Sequence, residues 1–132
     1  MLNSRNRLKK KVNFARVEID GKMIQSKSFG MGVFDRSKDF QGELNEDGSH
    51  NEKESHFGFI ISTKISKKAV VRNRIKRIMS ETIRLNLPKL KKGFDIVFLI
   101  KPSAVKLDKE SLEQETYEAI TKNLQNNTIS SS

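Results

Sequence analysis

Residues 67–79, KKAVVRNRIKRIM, place basic side chains among apolar ones at helical spacing. At about 100° per residue, one stripe of such a helix collects Val71, Ile75, Ile78, Thr82 and Leu85. The opposite side collects Asn73, Lys76, Arg77, Ser80 and Arg84. Arg72 and Arg74 lie on its two flanks. The pattern predicts an amphipathic helix, capped by Ser66, that buries one face and presents cations on the other.

The basic charges are too one-sided to be neutralised within this helix. From Lys64 to Lys92 there are eleven Lys and Arg residues and one carboxylate, Glu81, so pairing along the helix cannot balance them. The whole chain carries a formal net charge of +10. This excess favours nucleic acid as the partner over a helix face that is merely solvated.

Bulk properties narrow the class of protein further. A chain of 132 residues suits one domain with one core. No apolar run is long enough for a transmembrane helix, and the basic helix has no apolar face beyond the stripe that its own core needs, so a membrane partner is not expected. The chain has no cysteine and its N-terminus lacks an apolar signal core, so we expect a cytoplasmic protein. No signature of a protein oligomer is visible.

A first helix is predicted from four apolar residues at helical spacing, Leu8, Val12, Ala15 and Ile19, with Ser4 near its start as cap. Phe14 would project about 120° away from this stripe, on a line with Arg7 and Lys11. An aromatic ring beside two cations on an outer face is typical of a surface on which nucleic-acid bases stack. The alternative is a contact with a neighbouring loop.

Three segments have strand patterns. In residues 28–34 Phe29, Met31 and Val33 fall on one side of the strand, and in residues 56–62 Phe57, Phe59 and Ile61 share one face. Residues 94–100 are apolar almost throughout, which predicts a central strand covered on both faces. Gly30 and Gly32 leave one side of their strand bare. We favour a bulge or a covering helix as the reason, over close approach of a nucleic-acid backbone.

The end of the chain has a helical pattern with Asp108 as cap, in which Tyr117, Ile120 and Leu124 face inward. Residues 126–132 form a polar tail.

Residues 35–55 contain seven Asp or Glu against three Lys or Arg, which predicts a mobile acidic insertion. His50 and His56 alone do not fix a metal site. The order of elements predicts one α+β domain over residues 1–132, with helices packed on a mixed sheet.

Several segments together resemble the protein subunit of bacterial ribonuclease P. The central one is Arg72-Asn73-Arg74-Ile75-Lys76-Arg77, preceded by Ser62-Thr63-Lys64-Ile65 and followed by Phe94-Asp95-Ile96-Val97. Arg7-Leu8-Lys9-Lys10 with Phe14 and Val17 is similar to the family's opening helix. Lys101-Pro102 and residues 112–124 are similar to its closing strand and helix. The resemblance covers nearly the whole chain outside 35–55. It implies an αβββαβα sandwich with a left-handed β-α-β crossover, an exception to the usual right-handed rule.

The resemblance also implies a function. Family members are accessory subunits of a ribonucleoprotein endonuclease in which a magnesium-dependent RNA is catalytic. The protein binds no cofactor itself and helps the RNA bind precursor tRNA through its 5′ leader. The implied contacts to the catalytic RNA are Lys64, Lys67, Lys68, Arg72, Asn73, Arg74, Lys76, Arg77 and Arg84. The implied leader contacts are Arg7, Lys11, Phe14 and Phe57. The chain departs from the family pattern at Glu18, Gly32, Thr63 and Ser80.

Two alternatives stay open at this point. No clustered carboxylates or poised histidine lie beside the basic segment, so the residues do not indicate a protein nuclease. A stand-alone or ribosome-associated RNA-binding protein without a role in cleavage would fit the same charge pattern. A DNA regulator would need base-reading geometry that a dimer usually supplies.

Overall fold

A computed structural model of the protein describes residues 2, 6–8, 11–35 and 54–124, with the backbone alone for residues 11–13. Within this part the elements are α1 (Lys11–Asp20), β1 (Lys22–Gln25), β2 (Phe29–Asp35), β3 (His56–Ile60), α2 (Ala69–Asn86), β4 (Phe94–Ile100) and α3 (Lys109–Leu124). Short 3-10 turns at Leu87–Lys89 and Pro102–Lys106 follow α2 and β4. The predicted αβββαβα order is confirmed. Most of the predicted insertion, residues 36–53, and the predicted tail lie outside the described residues.

The strands form one sheet in the order β1-β2-β4-β3. β2 is antiparallel to both β1 and β4, while β3 is parallel to β4. Because parallel neighbours need a long crossover, α2 connects β3 to β4 as a β-α-β unit. Every residue of β4 except Leu99 is buried, which confirms the central strand that the sequence predicts.

The main core lies between one face of the sheet and the helices α2 and α3. Phe98 of β4 is its centre: its ring contacts Phe29 edge to face and stacks on Phe59, with ring centroids 5.4 Å apart in both pairs. α2 contributes Ile75, Ile78, Met79 and Ile83, and α3 contributes Leu112, Ile120 and Leu124. The apolar stripe of α2 is thus bound to the sheet, and its orientation is fixed.

The predicted burial of α2 is confirmed for Ile75, Ile78 and Thr82, and Val71 is half-buried. It is wrong for Leu85, which is 64% exposed. The last buried residue of the helix is Ile83. The prediction is also wrong for Ser80, which is buried and lines a cavity together with Leu2 and Leu8 of the N-terminal segment. The predicted cap, Ser66, is wrong, because the N-cap is Lys68 and has no side-chain cap. Ser66 lies two residues before it, and its hydroxyl accepts a hydrogen bond from the Lys68 N–H at 3.2 Å.

The other face of the sheet is covered by α1. Val17 is buried there with Leu8 and Val97, and Phe14 packs against them. The predicted stripe of α1 is wrong, because Ile19 is 78% exposed and Ala15 is exposed. Leu8 is buried, but it precedes α1 and is not part of the helix. Its N–H donates to the Phe57 carbonyl at 2.9 Å, so it lies along β3 and does not set the helical phase. The predicted cap Ser4 lies outside the described residues.

The glycine positions of β2 show why its outer side is bare. A Cβ atom on Gly32 would lie 3.0 Å from Val17 Cγ1 of α1. The favoured explanation, a helix packed closely on the strand, is confirmed for this residue.

The last helix, α3, begins where the sequence predicts, but the set of residues that it buries differs from the prediction. Asp108 Oδ1 accepts a hydrogen bond from the Ser111 N–H at 2.8 Å, which confirms the cap. The buried stripe repeats every four residues, at Leu112, Thr116, Ile120 and Leu124. Tyr117 lies beside this stripe and is 38% exposed, so its predicted inward orientation is wrong.

Candidate nucleic-acid interface

The outer face of α2 and the loop before it present six predicted RNA contacts to solvent. The exposed residues are Lys64, Lys67, Lys68, Asn73, Lys76 and Arg77. Among the described residues, no salt bridge involves Lys76 or Arg77. Because Ile75 and Ile78 are buried on the opposite side, the charges of Lys76 and Arg77 must point outward. This surface is suited to phosphate.

The two flanking arginines have a different environment. Both are half-buried. Arg72 Nη1 donates to the Ser66 carbonyl at 2.7 Å. Both terminal nitrogens of Arg74 lie 3.3 Å from the Leu107 carbonyl. The sequence predicts that these side chains grip RNA; the structure shows each of them bound to a neighbouring backbone segment.

Arg84 is exposed but is engaged with the one carboxylate of the helix. Its Nε donates to Glu81 Oε1 at 2.7 Å. The pKa of Glu81 is lowered to about 2, with the hydrogen bond from Arg84 as the largest cause, and the same bond raises the pKa of Arg84. The sequence predicts that pairing with Glu81 cannot balance the basic residues of this segment, and the ion pair that Glu81 makes with Arg84 accounts for one of them. Much of the local charge of Arg84 is cancelled.

A cavity of about 130 Å³ lies where the N-terminal segment, α1, β3 and α2 meet. It is lined by Leu2, Arg7, Leu8, Phe14, Phe57, Gly58, Phe59, Lys76 and Ser80. Three of the predicted leader contacts thus share one cavity with Lys76 of the predicted catalytic-RNA surface. No spacing in the sequence predicts this meeting, because it depends on the N-terminal segment running beside β3.

Phe14 lies between α1 and the sheet instead of on an outer face. A Cβ atom on Gly58 would be 2.5 Å from Phe14 Cζ, so the ring rests directly on the glycine backbone. Its predicted outward projection is wrong, although half-burial leaves part of the side chain open to the cavity. The sequence signal that was available is the glycine between Phe57 and Phe59.

The other predicted leader contacts differ in accessibility. Arg7 is exposed at the edge of the cavity. The ring of Phe57 belongs to the main core and is 1% exposed, so it offers no free face to a base. The side chain of Lys11 lies outside the described atoms. Glu18 and Thr63, two departures from the family pattern, are exposed.

His56 is held by the protein itself. Its Nδ1 lies 2.8 Å from Oδ1 of the buried Asp95. Across the described ranges, no three His, Cys, Asp or Glu side chains group closely enough to hold a metal ion. None of the helices in those ranges is long and apolar enough to cross a bilayer.

The described residues form an α+β fold in which α2 buries one face and presents cations on the other, beside a cavity with an aromatic wall. This combination defines a nucleic-acid-binding protein. Sequence comparison makes this specific. The chain belongs to the Ribonuclease P family, whose sequence profile matches residues 2–124.

Relatives agree over most of their length. The chain is 33% identical over 117 residues to a ribonuclease P protein component of Cyanothece sp., covering 87% of this chain and 89% of the relative. It is 35% identical over 106 residues to that of Nostoc sp., covering 75% and 76%. Two solved structures share the fold. The Staphylococcus aureus RNase P protein has a TM-score of 0.70 at 20% identity, covering 89% and 93% of the two chains. The Thermotoga maritima RNase P protein, in complex with 1-(4-fluorophenyl)-2-thiourea, has a TM-score of 0.71 at 22% identity, covering 88% and 98%.

Proposed function

We propose that this chain is the protein component of a ribonuclease P and assists a catalytic RNA in removing the 5′ leader of precursor tRNA. The observation that carries the proposal is the division of α2, with Ile75 fully buried and its neighbours Lys76 and Arg77 exposed. A helix fixed to the sheet in this way holds cations at defined positions. Defined positions matter because folded RNA presents phosphates in a fixed array.

In this proposal the chemistry belongs to the RNA, which would hold the Mg²⁺ ions. The protein contributes affinity and position. Lys64, Lys67, Lys68, Lys76 and Arg77 would neutralise phosphates of the catalytic RNA, and Asn73 would add a hydrogen bond from the same face.

The leader would enter the cavity beside Phe14. A single strand is bound sequence-tolerantly when its bases stack on an aromatic ring and its backbone follows cations. Phe14 supplies the ring, and Arg7 and Lys76 supply charge on two sides of the cavity. Because Lys76 also belongs to the exposed face of α2, a leader in this cavity would lie next to the catalytic RNA.

The test is to add the purified chain to its cognate catalytic RNA at limiting Mg²⁺ and measure leader removal from precursor tRNA. We expect the chain to raise the cleavage rate. A chain that bound the RNA without raising the rate would be a stand-alone or ribosome-associated RNA-binding protein. An equally basic, unrelated protein at the same concentration is the control for charge alone.

RNA affinity should depend strongly on salt. Each neutralised phosphate contributes roughly 0.7 to 0.9 to the slope of log affinity against log salt. With Lys64, Lys76 and Arg77 as the minimum set, we expect a slope steeper than about 2 in magnitude. Titration of the RNA complex between low and physiological salt measures it. A flat profile would contradict electrostatic binding.

Deleting residues 37–53 should leave the fold intact. Asp35 pairs with Phe94 and His56 pairs with Asp95, so the two ends of the insertion are separated only by β4, roughly 10 Å. A linker of four Gly and Ser residues spans that distance, and loop entropy changes slowly with length. Glu54 and Ser55 stay, because the Ser55 hydroxyl accepts the Phe94 N–H at 3.1 Å.

We expect the deletion variant to melt near the wild-type temperature and to bind RNA modestly more tightly, because acidic residues are removed. A full-length variant with the same Asp and Glu residues changed to Asn and Gln separates charge from length. A large loss of thermal stability in the deletion variant would show that the insertion is part of the core.

A further inference from the structure

Arg72 is the first arginine of the segment that the resemblance assigns to RNA, yet its guanidinium is directed at the protein. It is half-buried, and its Nη1 donates to the Ser66 carbonyl at 2.7 Å. A hydrogen bond this short from a charged donor is one of the stronger kinds in proteins. Its acceptor lies in the loop 61–68 between β3 and α2.

This loop carries three of the exposed cations, Lys64, Lys67 and Lys68. Its internal bonds are short-range: Ile65 N–H to the Ser62 carbonyl at 2.9 Å, Lys64 N–H to the Ser62 hydroxyl at 3.0 Å, and Lys68 N–H to the Ser66 hydroxyl at 3.2 Å. Bonds of this kind shape a turn but do not fix where the turn lies relative to the helix. Arg72 supplies that connection, since it is one turn inside α2 and reaches back to Ser66.

Few other side-chain hydrogen bonds hold the start of α2. Its N-cap residue, Lys68, makes no side-chain cap, and the first turn has no acidic residue. An uncapped start with lysines beside it opens easily, because unsatisfied N–H groups and like charges both disfavour the first turn. The bond from Arg72 acts against this opening.

The Ser66 carbonyl shares one rigid peptide plane with the Lys67 nitrogen. Fixing the direction of this carbonyl therefore fixes the direction in which the chain leaves toward Lys67 and Lys68. Arg77, which is exposed and is not bound to this loop, has no such influence on it.

We propose that Arg72 is a positioning residue: it holds the loop 61–68 against α2 so that Lys64, Lys67 and Lys68 reach RNA on the same side as Lys76 and Arg77. It acts on RNA through these lysines. The role of the lysines rests on the proposed function, while the bracing of the loop does not.

The first experiment needs no RNA. Arg72→Met and Arg77→Met each remove one charge and one tryptic site from α2 while keeping an apolar stem. Limited trypsin digestion followed by mass spectrometry gives the rates of cleavage after Lys64, Lys67 and Lys68. Arg72→Met should raise these rates about tenfold, because losing a hydrogen bond from a charged donor releases the loop. Arg77→Met should leave them at the wild-type value.

Cleavage after Lys106, outside the loop, corrects for any general loss of stability. If the rates in the loop, relative to cleavage after Lys106, were the same in Arg72→Met as in wild type, Arg72 would not hold the loop and the proposal would be overturned.

The second experiment measures RNA affinity in a double-mutant cycle with Lys67→Ala. If Arg72 acts through the loop, the affinity losses of Arg72→Met and Lys67→Ala should overlap, so that the double variant loses clearly less than the product of the two factors. The losses of Arg77→Met and Lys67→Ala should multiply. Multiplying losses for Arg72→Met would mean a phosphate contact of its own and would overturn the positioning role. A wild-type chain that did not bind the RNA would overturn the proposed function, and the tryptic rates would still decide whether Arg72 holds the loop.

Discussion

Arg77→Ala should weaken binding of the catalytic RNA about tenfold or more and leave the melting temperature almost unchanged. The side chain is exposed on α2, so its removal should change the free energy of unfolding by about 0.5 kcal/mol or less. A charge-assisted hydrogen bond to phosphate contributes more than that to binding. Calorimetry of the free protein and titration of the RNA at physiological salt measure the two effects.

Ile75→Ala is the matched variant two residues away, and its effects should be reversed. Ile75 is fully buried in the main core, and truncating a core isoleucine costs about 2 to 5 kcal/mol. The melting temperature should fall by roughly 10 °C or more. Below its melting temperature the variant should still bind RNA, because Lys76 and Arg77 are intact. An Arg77→Ala protein that unfolded, or that bound RNA normally, would show that this face of α2 is wrongly assigned.

Gly58→Ala should disturb the proposed leader site with a single methyl group. The new Cβ would lie 2.5 Å from Phe14 Cζ, closer than such atoms pack, and at a tight 3.2 Å from Leu8 Cβ. Phe14 has to leave its place on β3, and overpacking of this kind costs about 1 to 3 kcal/mol. We expect weaker binding of precursor tRNA with a leader, while binding of mature tRNA and of the catalytic RNA is retained.

Gly30→Ala is the control for a glycine-to-alanine change in the same sheet. Its Cβ would lie 3.4 Å from the Gln25 side chain, which is flexible and can move. Stability and leader affinity should therefore stay close to wild type. If Gly58→Ala and Gly30→Ala had equal leader affinity, Phe14 would not form the wall that the leader contacts.

Elements that depend on local spacing were predictable from the sequence. The amphipathic period of α2 places Ile75 inside and Arg77 outside, and the apolar run of β4 predicts a strand covered on both faces. Asp108 begins α3 through a contact only three residues away. These features need no distant partner, so a single sequence contains the information.

Features that depend on distant partners were decided by the tertiary structure. Asn6 donates to the Ser55 carbonyl at 3.0 Å, and the Leu8 N–H donates to the Phe57 carbonyl at 2.9 Å. These contacts extend the N-terminal segment along β3. The segment lines one cavity with Ser80, which is buried on a side of α2 that the charge pattern marks as exposed. The direction of Phe14 depends in the same way on the missing side chain of Gly58. Helical periodicity gives the relative angles of side chains within one helix, but the neighbouring element that covers each angle is fixed only when segments far apart in the chain pack together.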